Sequence, residues 1–185
     1  MVSKRLRTAL RTKPKGYTEY TGADRLSLRR TAYHEAAHAV VDVVLGIRFT
    51  WVVATKTAGW VDVTNPCAAW QRGDGSRSAL ARDWAVSMYA GAAGEEALGE
   101  GVGRWYNDFD SAEDWLARCC RPRGAAFVGD AAYDRQEAAL RSRSRLMVSS
   151  YWKAIEATAE ALLKVSALEE HEVMAIVDGG KPPSK

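Results

Sequence analysis

The sequence Thr31-Ala-Tyr-His-Glu-Ala-Ala-His-Ala-Val-Val41 decides the fold, because it combines an apolar helical pattern with the spacing His-Glu-x-x-His. Apolar side chains recur around it at the intervals found on one side of an α-helix. The pattern predicts a helix that begins near Asp24 or Ser27 and ends near Leu45, with Gly46 suited to its C-cap. Residues four apart lie on the same side of a helix, so both histidines can reach one ion.

The polar residues of this motif suit catalytic zinc chemistry. Zinc binds neutral imidazole nitrogens, and a catalytic site leaves one coordination position open for water. Glu35 directly follows His34, so its carboxylate can take a proton from that water as a general base. We therefore expect one Zn²⁺ per chain, bound by His34 and His38, with Glu35 as the catalytic residue.

A catalytic zinc site needs a third protein ligand. The metzincin pattern would place Gly at position 41 and His at position 44, and both are Val here. The remaining histidine, His171, lies among charged residues and is interpreted as a surface side chain. The third ligand is therefore expected to be a carboxylate. The candidates are Glu95 and Glu96, or Asp108, Asp110, Glu113 and Asp114. Thermolysin-like enzymes use a Glu from a following helix, which favours Glu95 and Glu96.

The rest of the chain predicts a mainly α protein with a small β-hairpin or sheet after the zinc helix. Two runs, 49–55 and 60–64, carry the alternation and the β-branched residues of strands, and 65–78 is rich in turn residues. Ser166 followed by Glu169 has the spacing of a capping box. Further helices are predicted over 78–99, 108–120, 130–147, 151–164 and 166–177.

Composition predicts one folded domain. The 185 residues are 47% apolar and 26% charged, with a net charge of +3, which is ordinary for one globular unit. We expect a basic flexible tail over 1–22, a peptidase-like domain over 23–178 and a disordered tail over 179–185. No apolar run is long enough for a transmembrane segment or a signal peptide, which predicts a cytoplasmic protein.

Four segments, taken in order, resemble the FtsH zinc peptidase family. The segment from Ala32 to Val41 is similar to the family's zinc helix, A-Y-H-E-A-G-H-A-V-V, with Ala37 in place of its Gly. Ala58-Gly-Trp-Val resembles the A-L-G-Y hairpin segment, and Gly91-Ala-Ala-Gly-Glu-Glu96 resembles G-R-A-A-E-E. Asn107-Asp-Phe-Asp-Ser-Ala112 resembles the helix start N-D-L-x-x-A. With the closing helices at 151–177, the resemblance covers about residues 24–178.

The resemblance implies a helical zincin-type fold and a zinc metalloendopeptidase acting on flexible or unfolded proteins. His34, His38 and Asp108 would be the metal ligands and Glu35 the general base. Glu95 would orient a ligand imidazole, or serve as the alternative ligand.

Members of that family carry an ATPase module, but this sequence has no G-x-x-x-x-G-K-[ST] motif. We therefore expect no ATP binding by this chain and a separate ATPase or unfoldase as partner, while oligomerisation stays open. A peptide substrate could add to a free edge of the strand that contains Trp51, Val52 and Val53. The alternative is a hairpin that only covers the core.

Two other functions are compatible with the sequence. A zinc-binding interaction or regulatory module without catalysis would keep the metal helix, although it would have no use for Glu35. A nucleic-acid-associated protein would rely on the basic N-terminal tail and would bind in a salt-sensitive way.

Overall fold

The computed structural model describes residues 28–56, 58–63, 77–99, 106–119 and 130–179, together with Thr8. It confirms a mainly helical protein with a small antiparallel sheet. Apart from Thr8, the predicted tail 1–22 lies outside the described residues, as do most of the predicted loop 65–78 and residues 180–185. The elements in chain order are α1 (Leu28–Leu45), β1 (Phe49–Ala54), β2 (Gly59–Val63), α2 (Arg77–Met88), α3 (Ala90–Leu98), α4 (Tyr106–Cys119), α5 (Ala131–Ser150), α6 (Trp152–Val165), β3 (Ala167–Glu169) and α7 (Glu170–Val177).

Helix α1 is the centre of the molecule, and every residue from Thr31 to Asp42 is buried. It packs against α3, α6, α7 and the sheet. Alanine at many of its positions lets the neighbouring helices approach closely. The closest approach is to α3, where a Cβ at Gly94 would lie 2.7 Å from the Cβ of Ala37.

The sheet has the strand order β2-β1-β3 and is antiparallel throughout. Val52 is paired with Val61 on one side and with Leu168 on the other, and Trp51 is paired with Glu169. The prediction that the strand with Trp51, Val52 and Val53 has a free edge is therefore wrong. The partner on the second side, β3, has only three residues, which is too short to produce a strand pattern in the sequence.

The chain between α6 and α7 also differs from its prediction. Ser166 ends α6 with a left-handed φ of 64°, and its N–H donates to the carbonyl of Leu162 at 2.7 Å. It is therefore a C-cap, and β3 separates it from the last helix. The capping box is formed by Glu169 and Glu172 instead, and the Glu169 N–H donates to Glu172 Oε2 at 2.9 Å.

The single helix predicted over 78–99 is two helices, α2 and α3, which are separated at Tyr89. The remaining predicted helices are confirmed within a few residues at their ends. Within the described residues, every helix is too short or too polar to traverse a lipid bilayer.

Candidate metal centre

Three potential ligand atoms from two helices meet at one point. His34 Nε2 lies 3.0 Å from His38 Nε2 and 3.1 Å from Asp108 Oδ2, and His38 Nε2 lies 3.5 Å from the same oxygen. Both imidazoles come from α1, one turn apart, whereas Asp108 comes from the first turn of α4. Tetrahedral zinc with bonds of about 2.0 Å separates neighbouring ligand atoms by roughly 3.3 Å. This group of two imidazoles and one carboxylate can therefore hold a metal ion.

Gly91 on α3 makes room for the two imidazoles. A Cβ at this position would overlap His34 Cε1 and the Nε2 atoms of both histidines. The space beside these nitrogens therefore exists only because the residue is glycine. The space left by Gly91 and the nitrogen donors beside it both suit a small ion held by Nε2 atoms.

Glu95 lies on the other edge of the His34 ring, away from Asp108. Its Oε1 is 3.0 Å from His34 Nδ1, and its Oε2 accepts hydrogen bonds from Arg30 Nε at 2.8 Å and Nη2 at 2.5 Å. Glu95 is fully buried. It therefore contacts the non-ligating nitrogen, which fits the predicted role of orienting an imidazole and not that of a third ligand.

His38 is oriented from α2. Its Nδ1 lies 2.7 Å from the carbonyl oxygen of Ser87, and the Ser87 hydroxyl donates to Asp42 Oδ1 at 2.5 Å. A carbonyl oxygen only accepts, so Nδ1 carries the proton and Nε2 is left with a lone pair. Both histidines therefore present Nε2 to the same point.

The Glu35 side chain extends from α1 to the start of β2. It is buried, and a Cβ at Gly59 would overlap its Oε1 and lie 2.7 Å from its Cγ. Burial raises the pKa of Glu35 to about 8, although the charge of His38 opposes this shift. A carboxyl group with such a pKa can both accept and release a proton near neutral pH.

The ligand group is strongly coupled electrostatically. Burial is the largest single influence and works to lower the pKa of His34 and of His38. The hydrogen bonds and charges of the neighbouring carboxylates together outweigh it and raise both, from Asp108 and Glu95 at His34 and from Asp108 and Glu35 at His38. Burial works to raise the pKa of Asp108, but the two imidazoles hold it well below its usual range. The site thus favours an ionised carboxylate beside the histidines, and a cation satisfies that arrangement.

The other carboxylates considered as third ligands are outside the cluster. Glu96 is exposed and pairs with Arg145, and Asp110 and Asp114 are also exposed. His171 is 74% exposed, which confirms its interpretation as a surface side chain. Trp51 and Val53 belong to a separate buried cluster on the far face of the sheet.

Apart from Glu95, sequence reasoning missed the residues that support the proposed ligands. A signal was present, because Arg30, His34, His38 and Asp42 recur every four residues along one side of an otherwise apolar helix. Ser87, by contrast, acts through its backbone carbonyl, which leaves no trace in the sequence.

No family model matches this chain, and no curated protein matches it either. The function of the site therefore has to be inferred from its geometry and from the residues that form it. The observations that bear on function are the convergence of three ligand atoms, the orientation of both imidazoles and the buried glutamate next to them.

Proposed function

We propose that this chain is a zinc metalloendopeptidase with a helical zincin-type fold of the FtsH kind. The observation that carries the proposal is the meeting of His34 Nε2, His38 Nε2 and Asp108 Oδ2. Glu35 is buried and close enough to interact electrostatically with His38 and Asp108. A purely structural zinc site is usually closed by four protein ligands. Three ligands next to a buried carboxylate are typical of a site that leaves one position for a reacting molecule.

The residues divide the work of peptide hydrolysis between them. A zinc ion held by the three ligands would polarise the scissile carbonyl and make a water molecule more acidic. Glu35 accepts a proton at its carboxylate and passes it to the leaving amine, a role that its raised pKa suits. Ser87 and Glu95 keep the imidazole rings in place.

The substrate is proposed to bind at β2 and not at β1. Both edges of β1 are paired, whereas β2 is an outer strand of the described sheet. Gly59, the first residue of β2, lies against Glu35. An extended peptide that pairs with the outer edge of β2 would pass close to the general base, and backbone hydrogen bonds would bind flexible chains without demanding a particular sequence.

Two departures from the family pattern compensate each other. The family has Gly and Ala where this chain has Ala37 and Gly94, and these two positions face each other between α1 and α3. A methyl group on both would overlap, so one must be absent. The exchange keeps the volume between the helices unchanged, which supports the proposed kinship.

The proposal is tested by cleavage of an unfolded protein such as fluorescently labelled casein. We expect hydrolysis that a chelator stops and added zinc restores. Glu35→Gln should keep zinc but lose at least about 100-fold in kcat, because an amide cannot accept the proton. Glu156→Gln, which changes an exposed glutamate on α6, is the matched control.

Two results would count against the peptidase. If Glu35→Gln cleaves as fast as the unchanged protein, the general base is elsewhere. If the zinc-loaded protein leaves every unfolded substrate intact, even with an ATPase partner present, the chain is a zinc-binding interaction module.

The proposed peptidase activity also leads to proposals on the substrates, the location and the partner of this protein. The substrates would be flexible or unfolded chains, because a peptide has to be extended to pair with the edge of β2. The cytoplasm is the proposed location. Unfolding of compact substrates would depend on a separate ATPase.

A further inference from the structure

Arg30 lies one helical turn before His34 on α1 and contacts Glu95 on α3. Its Nε and Nη2 are 2.8 Å and 2.5 Å from the same oxygen, Glu95 Oε2. The Arg30 side chain is 17% exposed and that of Glu95 is fully buried. A guanidinium that donates twice to one oxygen fixes the plane of the carboxylate as well as its position.

The fixed carboxylate turns its second oxygen towards the metal site. Glu95 Oε1 is 3.0 Å from His34 Nδ1, on the ring edge opposite the ligand nitrogen. A carboxylate only accepts hydrogen bonds, so the Nδ1 atom carries the hydrogen. A histidine that binds zinc is neutral, so its lone pair is then on Nε2, the atom that lies 3.1 Å from Asp108.

The charge of Arg30 matters because Glu95 is fully buried. A carboxylate removed from water is costly unless a cation and hydrogen bonds compensate it. Arg30 provides both on Oε2 and leaves Oε1 available for the histidine. The hydrogen bonds that connect Arg30, Glu95 and His34 thus start near the protein surface and end at the ring that carries the proposed ligand atom.

We propose that Arg30 is a positioning residue of the metal centre, which holds Glu95 against His34 Nδ1 and thereby presents Nε2 of His34 to zinc. This inference rests on the proposed metal site but not on peptide cleavage. Arg30 is outside the group of residues that could hold the ion, and it acts through Glu95.

The test measures zinc affinity by competition with a chromophoric chelator and the His34 Nδ1–H proton by NMR of the zinc-loaded protein. We expect Arg30→Gln to weaken zinc binding by about 10–100-fold, the range found for residues that support metal ligands. The His34 Nδ1–H resonance should shift and its proton should exchange faster with water in the same variant, because the hydrogen bond to Glu95 is weaker. Arg30→Lys keeps the charge but not the paired donors, so its affinity should be intermediate.

Two further variants separate positioning from general effects on folding. Arg29→Gln removes the neighbouring arginine, whose guanidinium lies over the Tyr33 ring, and should leave zinc affinity unchanged. In a Glu95→Gln background, Arg30→Gln should change the zinc affinity little, because Glu95, through which Arg30 acts, is already altered. That double variant contains no buried unpaired carboxylate at position 95, so it should fold as the unchanged protein does.

The outcomes distinguish the two proposals. Arg30→Gln with unchanged zinc affinity and an unchanged His34 Nδ1–H resonance would overturn the role of Arg30 and leave the metal site standing. If Arg30→Gln lowered the zinc affinity equally with and without the Glu95→Gln substitution, Arg30 would act independently of Glu95. That result would also overturn the proposed role of Arg30. An unchanged protein that binds no zinc would overturn the metal site itself.

Discussion

At the scale of single residues, the metal centre depends on a polar line along one side of α1. Arg30, His34, His38 and Asp42 follow each other at intervals of four, and they lie on a helix that is otherwise mostly apolar where it is buried. The two inner members are the proposed ligands. The two outer members reach them through other helices, because Arg30 acts through Glu95 and Asp42 through Ser87.

The choice between Asp108 and Glu95 as third ligand can be tested directly. We expect Asp108→Ala to lose more zinc affinity than the 10–100-fold that is typical of supporting residues, because it removes a ligand atom. Asp110→Ala, two residues further on α4 and exposed, should bind zinc normally. Normal affinity in Asp108→Ala together with a complete loss in Glu95→Gln would assign the ligand to Glu95 instead. Competition titration against a chelator measures all three.

Asp42 should make the stability of the fold depend on pH. Burial raises its pKa from 3.8 to about 7, and Ser87 offsets only part of this shift. Between these values the folded state keeps a proton that the unfolded chain releases. The free energy of unfolding therefore falls as pH rises through this window, by at most about 1.4 kcal/mol per pH unit.

Asp42→Asn removes this dependence but keeps an acceptor for the Ser87 hydroxyl. We expect the variant to gain stability relative to the unchanged protein as pH rises from about 4 to about 7, as measured by urea denaturation. Asp110→Asn is the control for the loss of one charge. A difference in stability between Asp42→Asn and the unchanged protein that stays constant across this range would show that Asp42 is ionised in the folded state.

The sequence predicted the residues of the proposed site better than their supports. His34, Glu35 and His38 follow from spacing on one helix, which is a local property. Asp108 was singled out by a resemblance, since elimination among carboxylates left several candidates. Arg30 and Ser87 could not be assigned roles, because their partners are more than forty residues away in the chain.

At the scale of elements, the pairing of β1 and the close packing of α3 on α1 determine the shape of the site. Strand β1 is held on both sides, so the hairpin cannot shift sideways over α1. Helix α3 approaches α1 at Gly94 and brings Gly91 and Glu95 to the histidines. Gly91 is therefore needed for the imidazoles to meet, and Gly94 allows the close packing that brings α3 to them.

The contact between α1 and α3 predicts a coupled pair of substitutions. Gly94→Ala should lower the free energy of unfolding by about 1–3 kcal/mol, because its methyl group would overlap that of Ala37. Ala37→Gly alone should cost about 1 kcal/mol through helix propensity. The double variant should lose less than the sum of the two, with a coupling of about 1 kcal/mol or more. Strictly additive losses in urea denaturation would show that the two positions are not in contact.

The hairpin of β1 and β2 was predictable from the sequence, but the third strand, which is the second partner of β1, was not. The strands at 49–55 and 60–64 were predicted within a residue or so of β1 and β2, because β-branched and aromatic residues alternate there. The third strand escaped notice, since Ala167–Glu169 is short and follows a serine that resembles a helix start. Only the tertiary fold reveals that β1 lies in the middle.

At the scale of the whole molecule, the residues of the proposed metal site come from two parts of the fold. Helix α4 packs chiefly on α2, whereas α1 packs on α3, α6, α7 and the sheet. Asp108 is the residue through which α4 reaches the histidines of α1. An ion bound there would connect α4 to the central helix directly.

Zinc should therefore stabilise the fold, and α4 above all. At a free zinc concentration of about 100 times Kd, the expected gain in the free energy of unfolding is about 2.7 kcal/mol. Hydrogen exchange should slow most in α4, and a chelator should reverse both effects. Asp108→Ala should show neither effect, whereas Glu35→Gln should show both. Zinc that leaves Tm and exchange in α4 unchanged would contradict a site shared by the two helices.

The separation of the ligands along the chain has a consequence for the newly made protein. His34 and Asp108 are 74 residues apart, so at about 5–20 residues per second the ribosome adds the second roughly 4–15 seconds after the first. Strand β3, which holds the far side of β1, emerges later still. During synthesis the histidines are present without their carboxylate, so the proposed peptidase would not yet be able to cut the growing chain or its neighbours. The order of the ligands alone would thus postpone activity, with no removable inhibitory segment required.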